Sequence, residues 1–363
     1  MGTQKNLNVV SLFSGIGGIE KGIVSSTLNC NICFSSEIDK FAQSSYLANF
    51  KDHNLHGDIT KIDEKDIPDH DFLVGGFPCQ AFSIAGKREG FEDTRGTLFY
   101  DVARILEKKQ PSFVFLENVK NLISHDGGNT ILTILNMLNT LGYTVDFTVI
   151  NSIVSGVPQS RDRTYIVGIL NGATEPFKKD KYSLKVDKLK EKLNQEGYTA
   201  FNFFHSLSFE AEPSFLCNVI QSQVNSKYYL TTDSVKEYLE HLETQPIVEK
   251  QSKILKILDI PREVWNDLER QRRVYSTSGV SPTVLARSDT TKILLEEGGL
   301  YKIRKVTPWE NFRIQGFPEA FIERIMATGV SDGQAYKQSG NAVSPPVITE
   351  IMNHFATFME EYQ

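Results

Sequence analysis

Residues 7–170 alternate short apolar runs with amphipathic segments, and this alternation constrains the possible folds more than any other feature of the chain. The apolar runs, rich in Val, Ile and Phe, predict strands at Leu7–Phe13, Asn31–Ser36, Asp71–Gly75, Ser112–Leu116, Tyr143–Ile150 and Arg163–Leu170. The segments between them predict helices near Gly18–Ser26, Lys40–Asn49, Thr97–Lys108 and Asn129–Leu141. Strands that alternate with helices form a mostly parallel sheet covered on both faces, so we predict an α/β fold with a Rossmann-like sheet. Ligands of such sheets bind beyond the carboxyl ends of the strands.

The alternation ends near residue 170, and a chain of 363 residues is long enough for two domains. The lysine-rich residues 178–192 predict a solvated connector or helix, and the stretch up to about residue 300 predicts irregular strands and loops. Pro345 and Pro346 begin a predicted C-terminal helix whose apolar stripe returns it to the first domain. We therefore predict a first domain of residues 1–180 plus 338–363, a second, smaller domain of residues 181–300, and a hinge of residues 301–337.

The net charge of −6 argues against a strongly basic nucleic-acid-binding protein, but the charge is unevenly distributed. Residues 270–305 hold eight Lys or Arg against three acids, so this stretch is locally basic. No apolar run reaches the ~20 residues of a membrane span, and the N-terminal residues lack the apolar core of a signal peptide. We therefore predict a cytoplasmic protein without a membrane partner.

The four cysteines are too few for a disulfide scaffold and fit a reducing compartment. Cys30 and Cys33 have the C-x-x-C spacing, but they lie in a predicted strand and lack the second pair that a zinc site needs. We predict that both are core or near-core thiols and that the chain holds no metal site.

The first predicted strand ends in Phe13-Ser14-Gly15-Ile16-Gly17-Gly18, a turn whose glycines let the backbone approach a ligand. Its spacing differs from the dinucleotide fingerprint G-x-G-x-x-G, which weakens the hypothesis of a nicotinamide dehydrogenase. Glu37 and Asp39 follow about 20 residues later, where an acid can bind ribose hydroxyls, and Asp58 in a Gly-Asp-Ile triplet suits an adenine edge. Together these features predict an adenosine-containing cofactor, whereas the alternative is a tight turn with exposed acids.

The sequence Gly75-Gly76-Phe77-Pro78-Cys79-Gln80 follows an apolar strand, which places Cys79 just beyond a strand end, at a cleft. The alternative is a buried structural cysteine. Residues 83–96 combine glycines with Lys87, Arg88 and Arg95, a composition that suits a lid over a polyanion.

Glu117 and Asn118 end the next strand, and a carboxylate with apolar neighbours can have a raised pKa and donate a proton near neutrality. The alternative is a solvated surface glutamate. Arg161 and Arg163 occupy alternate positions entering a strand, so we predict that both point to one face. The alternative is an ion pair with Asp162 or Glu117.

In their order and spacing, these segments resemble those of the DNA (cytosine-5)-methyltransferases. The resemblance covers roughly residues 7–170 and 301–350, with the motifs FSGIGG, E-x-D, GDI, GGFPCQAFS, RGTLF, ENV, QSRDR, TPWENFRIQGFP and YKQSGNAVSPPV. PCQ followed by ENV and Q-x-R-x-R is highly specific as a set. The resemblance implies an S-adenosylmethionine-dependent methyltransferase fold for the first domain and a target-recognition domain for the second.

The resemblance also implies the reaction: a thiolate adds to carbon 6 of cytosine, and carbon 5 then attacks the methyl group of S-adenosylmethionine. By this resemblance Cys79 is the nucleophile, Glu117 acts on ring nitrogen 3, and Asn118 braces the loop that carries Cys79. Arg163, with Arg161 beside it, holds the carbonyl oxygen of the base. The target base must first leave the duplex.

The same motifs imply the remaining site residues. Those for the cofactor are Phe13, Gly15, Gly17, Gly18, Glu37, Ile38, Asp58, Ile59, Leu98, Asn341 and Val343. Ile38 stands where relatives often have an aromatic residue, and Ser11 where an acid is common. The residues predicted to contact DNA are Ser83, Lys87, Arg88, Arg95, Arg273, Thr283 and Arg287, of which Arg273 or Arg287 can read guanine.

We therefore expect a sequence-specific DNA cytosine-5 methyltransferase that acts as a monomer on double-stranded DNA in a bacterial cytoplasm. It would be the modification half of a restriction–modification system, with a cognate endonuclease as partner. One alternative is an RNA (tRNA) cytosine-5 methyltransferase on the same scaffold, against which a recognition region of more than 100 residues with clustered arginines favours DNA. A second alternative is a catalytically silent DNA-binding protein, against which the intact Cys79, Glu117 and both arginines argue.

Overall fold

The computed structural model describes residues 6–78, 98–242 and 249–362. It divides into two compact units: unit 1 comprises Met1–Asn151, Asp162–Phe209 and Ile348–Gln363, and unit 2 comprises Ser152–Arg161 and Glu210–Val347. The described strands are β1 (Leu7–Leu12), β2 (Cys30–Ser36), β3 (Leu55–His56), β4 (Phe72–Gly76), β5 (Phe113–Val119), β6 (Tyr143–Asn151), β7 (Gln159–Ser160), β8 (Asp162–Leu170), β9 (Lys256–Asp259), β10 (Arg273–Tyr275), β11 (Ser281–Pro282), β12 (Lys292–Glu297) and β13 (Leu300–Lys305). The described α-helices are α1 (Gly18–Val24), α2 (Lys40–Asn49), α3 (Leu98–Lys109), α4 (Asn129–Thr140), α5 (Leu184–Gln195), α6 (Phe203–Ser206), α7 (Asp233–Glu240), α8 (Pro308–Ile314), α9 (Glu319–Ala327), α10 (Asp332–Asn341) and α11 (Pro345–Tyr362).

Unit 1 is built on a seven-stranded sheet in the order β3-β2-β1-β4-β5-β8-β6. The neighbours from β3 to β5 pair in parallel, and β8 is antiparallel to both β5 and β6. The prediction of an α/β fold with a Rossmann-like, mostly parallel sheet is confirmed. Because β1, β2, β4 and β5 run in the same direction, their carboxyl ends meet at one edge of the sheet.

The central strands are apolar because both faces of the sheet are covered. Phe72, Leu73 and Val74 of β4 are fully buried, as expected for a parallel strand between two helical layers. Helix α11 packs on this sheet, since the ring of Phe355 lies 4.9 Å from the rings of Phe72 and Phe113.

The lysine-rich segment is less solvated than predicted. Helix α5 begins after its N-cap Ser183, and Lys190 is only 3% exposed. The Lys190 Nζ lies 2.9 Å from an oxygen of Asp146 and 3.2 Å from one of Asp180. The prediction of a solvated segment is wrong at Lys190, because two buried carboxylates require a buried cation.

Unit 2 contains a four-stranded sheet in the order β13-β12-β10-β9 and a short pair of β11 with β7. One of its apolar clusters consists of Leu230, Val235, Ile260, Val274, Leu294 and Ile303. The unit boundaries differ from the predicted domain boundaries. Residues 181–209 belong to unit 1, whereas residues 152–161, the predicted hinge 301–337 and residues 338–347 lie in unit 2.

Candidate active site

The glycine-rich turn between β1 and α1 has a backbone that few residue types adopt. Phe13, Gly15 and Gly17 have φ angles of 57°, 57° and 92°, all in the left-handed region. A Cβ on Gly17 would also lie 2.3 Å from the ring of Phe50. The sequence therefore needs glycine at position 17 for both conformation and space, and the strained Phe13 marks the turn as a functional candidate.

Glu37 follows the carboxyl end of β2 and is bonded to this turn. Its carboxylate accepts hydrogen bonds from the backbone N–H of Gly15 at 2.8 Å and of Asp39 at 2.7 Å. Asp39 instead caps α2, because its side chain accepts from the N–H of Phe41 at 2.9 Å. The structure thus brings the Glu37 carboxylate onto the glycine-rich turn, whereas the described side-chain bonds of Asp39 cap α2.

Two apolar side chains beside Glu37 are exposed. Ile38 is 68% exposed and Phe41, in the first turn of α2, is 56% exposed. Large exposed apolar side chains at a strand end are candidates for ligand contact. Phe41 was not predicted, although its place three residues after Ile38 was a usable signal.

Asp58 and Ile59 form the start of a short 3-10 turn after β3. The Asp58 carboxylate accepts from the N–H of Thr60 at 3.1 Å and from its hydroxyl at 2.8 Å, and the hydroxyl bond is the main reason that the pKa of Asp58 is lowered. Ile59 is buried. The backbone N–H of Glu37 donates to the carbonyl of His56 at 3.0 Å, which ties this strand end to β2.

Asn118 connects β5 to the chain just after β4. Its side-chain Nδ2 donates to the carbonyl of Phe77 at 2.8 Å, and its Oδ1 accepts from the N–H of Val119 at 2.8 Å. Asn118 is buried, so this bond is shielded from water. It fixes the backbone one residue before Pro78, and the loop that Asn118 is predicted to brace lies outside the described residues from Cys79 onward. Cys79, Ser83, Lys87, Arg88 and Arg95 lie outside the described residues.

Glu117 and Arg163 form an ion pair at the same edge of the sheet. The Arg163 Nε lies 3.0 Å from a Glu117 oxygen, and the two side chains are only 15% and 10% exposed. The antiparallel register of β5 and β8 sets Val119 opposite Arg163 and so places the pair. One carboxylate and one guanidinium thus lie next to Asn118, whose side chain is bonded to the carbonyl of Phe77.

Arg161 has a different environment, in unit 2. The residue is 3% exposed, and its guanidinium donates to the carbonyls of Gly340 and Ala342 at 2.9 Å and of Val284 at 3.3 Å. Arg161 and Arg163 were predicted to point to one face, but their described partners differ. Arg163 lies in β8 and forms with Glu117 the ion pair that was given as the alternative, whereas Arg161 precedes β8 and bonds to carbonyls of unit 2. The described bonds of Arg161 are those of a residue that positions backbone.

The other predicted residues have the following surroundings. Leu98 is the first residue of α3, Asn341 is the exposed last residue of α10, and Val343 is buried in unit 2. In unit 2, Thr283 donates its hydroxyl to the carbonyl of Ser160 at 2.7 Å. Arg273 and Arg287 each pair with nearby carboxylates.

Sequence reasoning missed Glu20, which is fully buried in α1 beneath the glycine-rich turn. Its Oε1 accepts a hydrogen bond from the hydroxyl of Ser11 at 2.6 Å, and burial raises its pKa to about 7. A glutamate among the apolar and glycine residues at the start of a helix was the available signal. Cys30 and Cys33 are both only partly buried, so they are near-core rather than core thiols. Burial raises the pKa of Cys30 to about 11 and also raises that of Cys33.

A protein-family profile and several known proteins match most of this chain. The profile of the family "C-5 cytosine-specific DNA methylase" matches residues 7–356. The type II methyltransferase M.SsoII of Shigella sonnei is 40% identical over 358 residues, covering 94% of this chain and 78% of the relative. The type II methyltransferase M.HhaI of Haemophilus parahaemolyticus is 35% identical over 348 residues, covering 93% of this chain and 90% of the relative.

Solved structures share the fold. A DNMT2 mutant of Spodoptera frugiperda matches with a TM-score of 0.66 at 20% identity, covering 96% of this chain and 98% of that one. None of the described helices has the length and apolar composition that a membrane span requires. Since the family profile spans nearly the whole sequence, the chain belongs to the C-5 cytosine-specific DNA methylases and is a DNA cytosine-5 methyltransferase.

Proposed function

We propose that this protein transfers a methyl group from S-adenosylmethionine to carbon 5 of a flipped-out cytosine in double-stranded DNA, through a covalent adduct with Cys79. The observation that carries the proposal is the cluster at the edge of the sheet in unit 1. There the Glu117–Arg163 ion pair lies beside the Asn118 bond to the carbonyl of Phe77, two residues before Cys79. Family membership and the named type II relatives support DNA as the substrate and a restriction–modification system, with a cognate endonuclease, as the setting.

The residues of this chain would divide the chemistry as follows. The Cys79 thiolate forms a bond to carbon 6 of the base, and the displaced π electrons make carbon 5 nucleophilic. Glu117, in its protonated form, donates a hydrogen bond to ring nitrogen 3 and so favours this addition. The Arg163 guanidinium donates to the carbonyl oxygen of the base, where negative charge accumulates. After methylation a base removes the carbon 5 proton, and the returning electrons expel the thiolate.

The strand ends of unit 1 fit an adenosine-containing cofactor. Glu37 lies on the glycine-rich turn and can accept hydrogen bonds from ribose hydroxyls. Asp58 and Ile59 can contact the edge of the adenine ring. The exposed Ile38 and Phe41 offer apolar surface for the ring. S-adenosylmethionine supplies the methyl group when bound. The full proposed set comprises Phe13, Gly15, Gly17, Gly18, Glu37, Ile38, Asp58, Ile59, Leu98, Asn341 and Val343.

Unit 2 is proposed as the target-recognition region, with Arg273, Thr283 and Arg287 as its DNA-contacting residues. Ser83, Lys87, Arg88 and Arg95 are proposed to contact DNA from the segment outside the described residues. Arg161 is proposed to act beside Arg163 by positioning backbone, given its three carbonyl partners. The protein is proposed to work as a monomer in the cytoplasm.

The test is methyl transfer from labelled S-adenosylmethionine to duplex DNA or to tRNA, repeated with 5-fluorocytosine in the DNA. In this base, carbon 5 carries fluorine instead of the hydrogen that must be removed as a proton. Elimination of the thiolate is therefore blocked, and the adduct is trapped. We expect label in DNA and a trapped adduct that Cys79→Ala abolishes and Cys217→Ala, the matched control, retains. Glu117→Gln should slow methyl transfer by about 10²–10⁴-fold. Label only in tRNA would overturn the proposed substrate, and an adduct that survives Cys79→Ala would overturn the nucleophile.

A further inference from the structure

We infer that Arg287 reads a guanine of the DNA target sequence, and that Asp289 and Gln271 are the positioning residues that hold its guanidinium. The inference rests on the proposed role of unit 2 in target recognition and deepens it. All three residues lie in unit 2, where they line one small polar pocket.

The guanidinium of Arg287 pairs through Nε, and its two terminal nitrogens remain available as hydrogen-bond donors. Its Nε lies 3.1 Å from an oxygen of Asp289, and its side chain is 56% exposed. The other oxygen of Asp289 accepts a hydrogen bond from the side-chain amide of Gln271. A guanidinium that pairs through Nε leaves both terminal nitrogens available as a fork, which is the donor pattern that pairs with O6 and N7 of guanine.

Arg273, which lines the same pocket, is held differently. Its terminal NH2 lies 2.6 Å from Glu269, and its Nε lies 3.8 Å from Asp259. The fork of Arg273 is thus already occupied by a carboxylate, whereas within the described residues the terminal nitrogens of Arg287 form no hydrogen bond. This difference selects Arg287 from the two arginines that the sequence suggested as readers of guanine.

The pocket that Arg287 lines holds further N–H donors. Lys292 lines it too, although its side chain is buried and its Nζ donates to the carbonyl of Gln271. Burial, together with the charge of Lys305, lowers the pKa of Lys292 to about 8.

These donors suit guanine better than a phosphate. The major-groove edge of guanine offers two acceptors and no donor, which matches a pocket rich in N–H groups. A phosphate would bring its negative charge close to the Asp289 carboxylate. An ion pair exposed to this degree contributes little to stability, so loss of Arg287 should leave the melting temperature unchanged.

The experiment maps methylated cytosines in a random-sequence duplex library for the wild type, Arg287→Ala, Arg287→Lys and Asp289→Asn. Arg262→Ala is the matched control, because Arg262 is an exposed arginine of unit 2 that does not line the pocket. We expect that the site methylated by the wild type contains a guanine. In Arg287→Ala the preference for guanine at this position should fall roughly 5- to 150-fold, with the other positions unchanged. Arg287→Lys should not restore this preference, because it lacks the fork, and Asp289→Asn should lower it in part.

Three outcomes would contradict the proposal in different ways. Wild-type protein that methylates no DNA would overturn the proposed function and this inference with it. Normal wild-type methylation with an unchanged site profile in Arg287→Ala would overturn the inference alone. Equal weakening at all sequences in Arg287→Ala, restored by Arg287→Lys, would show a phosphate contact instead.

Discussion

At the residue scale, Glu20 is an acid of unit 1 that is buried with little compensation and that no sequence pattern predicted. It is fully buried, one oxygen bonds to the Ser11 hydroxyl, and Oε2 has no hydrogen-bond partner in the described part of the chain. A buried carboxylate with one neutral partner is poorly compensated when ionised. Burial therefore raises the pKa of Glu20 to about 7, and the Ser11 bond offsets only part of this increase.

This pKa predicts a pH-dependent stability. The folded protein binds the Glu20 proton more tightly than the unfolded chain, whose ordinary value is 4.5. The free energy of unfolding therefore decreases as the pH rises from about 4.5 to about 7, and the loss reaches about 3 kcal/mol above that range. Glu20→Gln should remove this contribution, so the variant should lose less stability than the wild type between pH 5 and pH 8, roughly the span of the titration.

The measurement is the midpoint of urea unfolding across this pH range. Glu107→Gln is the control, because Glu107 is an exposed glutamate on α3. Parallel pH profiles for the wild type and Glu20→Gln would show that Glu20 is not the titrating group.

At the element scale, α10 contains two glycines in opposite situations. A Cβ on Gly340 would lie 2.3 Å from the backbone N of Ala286, whereas a Cβ on Gly333 would meet nothing within 4 Å. Gly340 also offers its carbonyl to Arg161 at 2.9 Å. The end of α10, and with it Asn341, is therefore held by close backbone contact with residues 285–286.

We predict that Gly340→Ala destabilises the protein by about 1–3 kcal/mol or more, because the contacting atoms are backbone and cannot rotate away. Gly333→Ala should instead be neutral or stabilise by up to about 1 kcal/mol, since alanine favours the helix. Thermal unfolding of both variants checks the contrast. Equal melting temperatures would mean that the backbone of residues 285–286 moves to accommodate the added methyl group at position 340.

The start of α8 depends on a buried ion pair. The Glu310 carboxylate accepts from both terminal nitrogens of Arg304 at 2.8 Å and from the N–H of Thr307 at 2.7 Å, and both charged side chains are fully buried. Glu310→Ala would leave a buried, uncompensated guanidinium and should cost about 3–5 kcal/mol. Glu319→Ala, which breaks the more exposed pair with Arg313, should cost less than about 1 kcal/mol.

Both tryptophans of the chain, Trp265 and Trp309, lie in unit 2, so tryptophan fluorescence during urea unfolding reports this unit. Similar midpoints for Glu310→Ala and Glu319→Ala would contradict the buried-pair argument.

These elements show how far the sequence could be used. The sheet of unit 1 was predictable because its strands and helices have local periodicity, and the site residues of this unit lie at predicted strand ends. The roles of Arg161, Lys190 and Arg304 were not predictable from the sequence. Each is fixed by partners that lie far away in the sequence or on another element. Tertiary contacts of this kind leave no periodic pattern. Glu20 was overlooked because the burial of a single acid also depends on packing.

At the scale of the whole molecule, the net charge of −6 comes entirely from unit 1. Unit 1 carries 21 Lys or Arg against 27 Asp or Glu, whereas unit 2 carries 18 of each. The locally basic stretch 270–305 is also largely neutralised, because Arg273, Arg287 and Lys302 pair with carboxylates and Arg304 is buried. A count of basic residues therefore overstates the positive surface available to DNA.

This distribution predicts the salt dependence of DNA binding. Each phosphate neutralised by a cation contributes about −0.9 to the slope of log K against log salt concentration. Arg270 is an exposed cation of the basic stretch, so Arg270→Ala should weaken binding at all sequences and reduce the slope by about 1. Lys302→Ala should change the slope much less, because the Lys302 ammonium lies 2.6 Å from Glu297. Fluorescence anisotropy of a labelled duplex between roughly 50 and 200 mM salt measures both slopes. If Lys302→Ala reduced the slope as much as Arg270→Ala, ion pairing within unit 2 would not limit its contacts with phosphate.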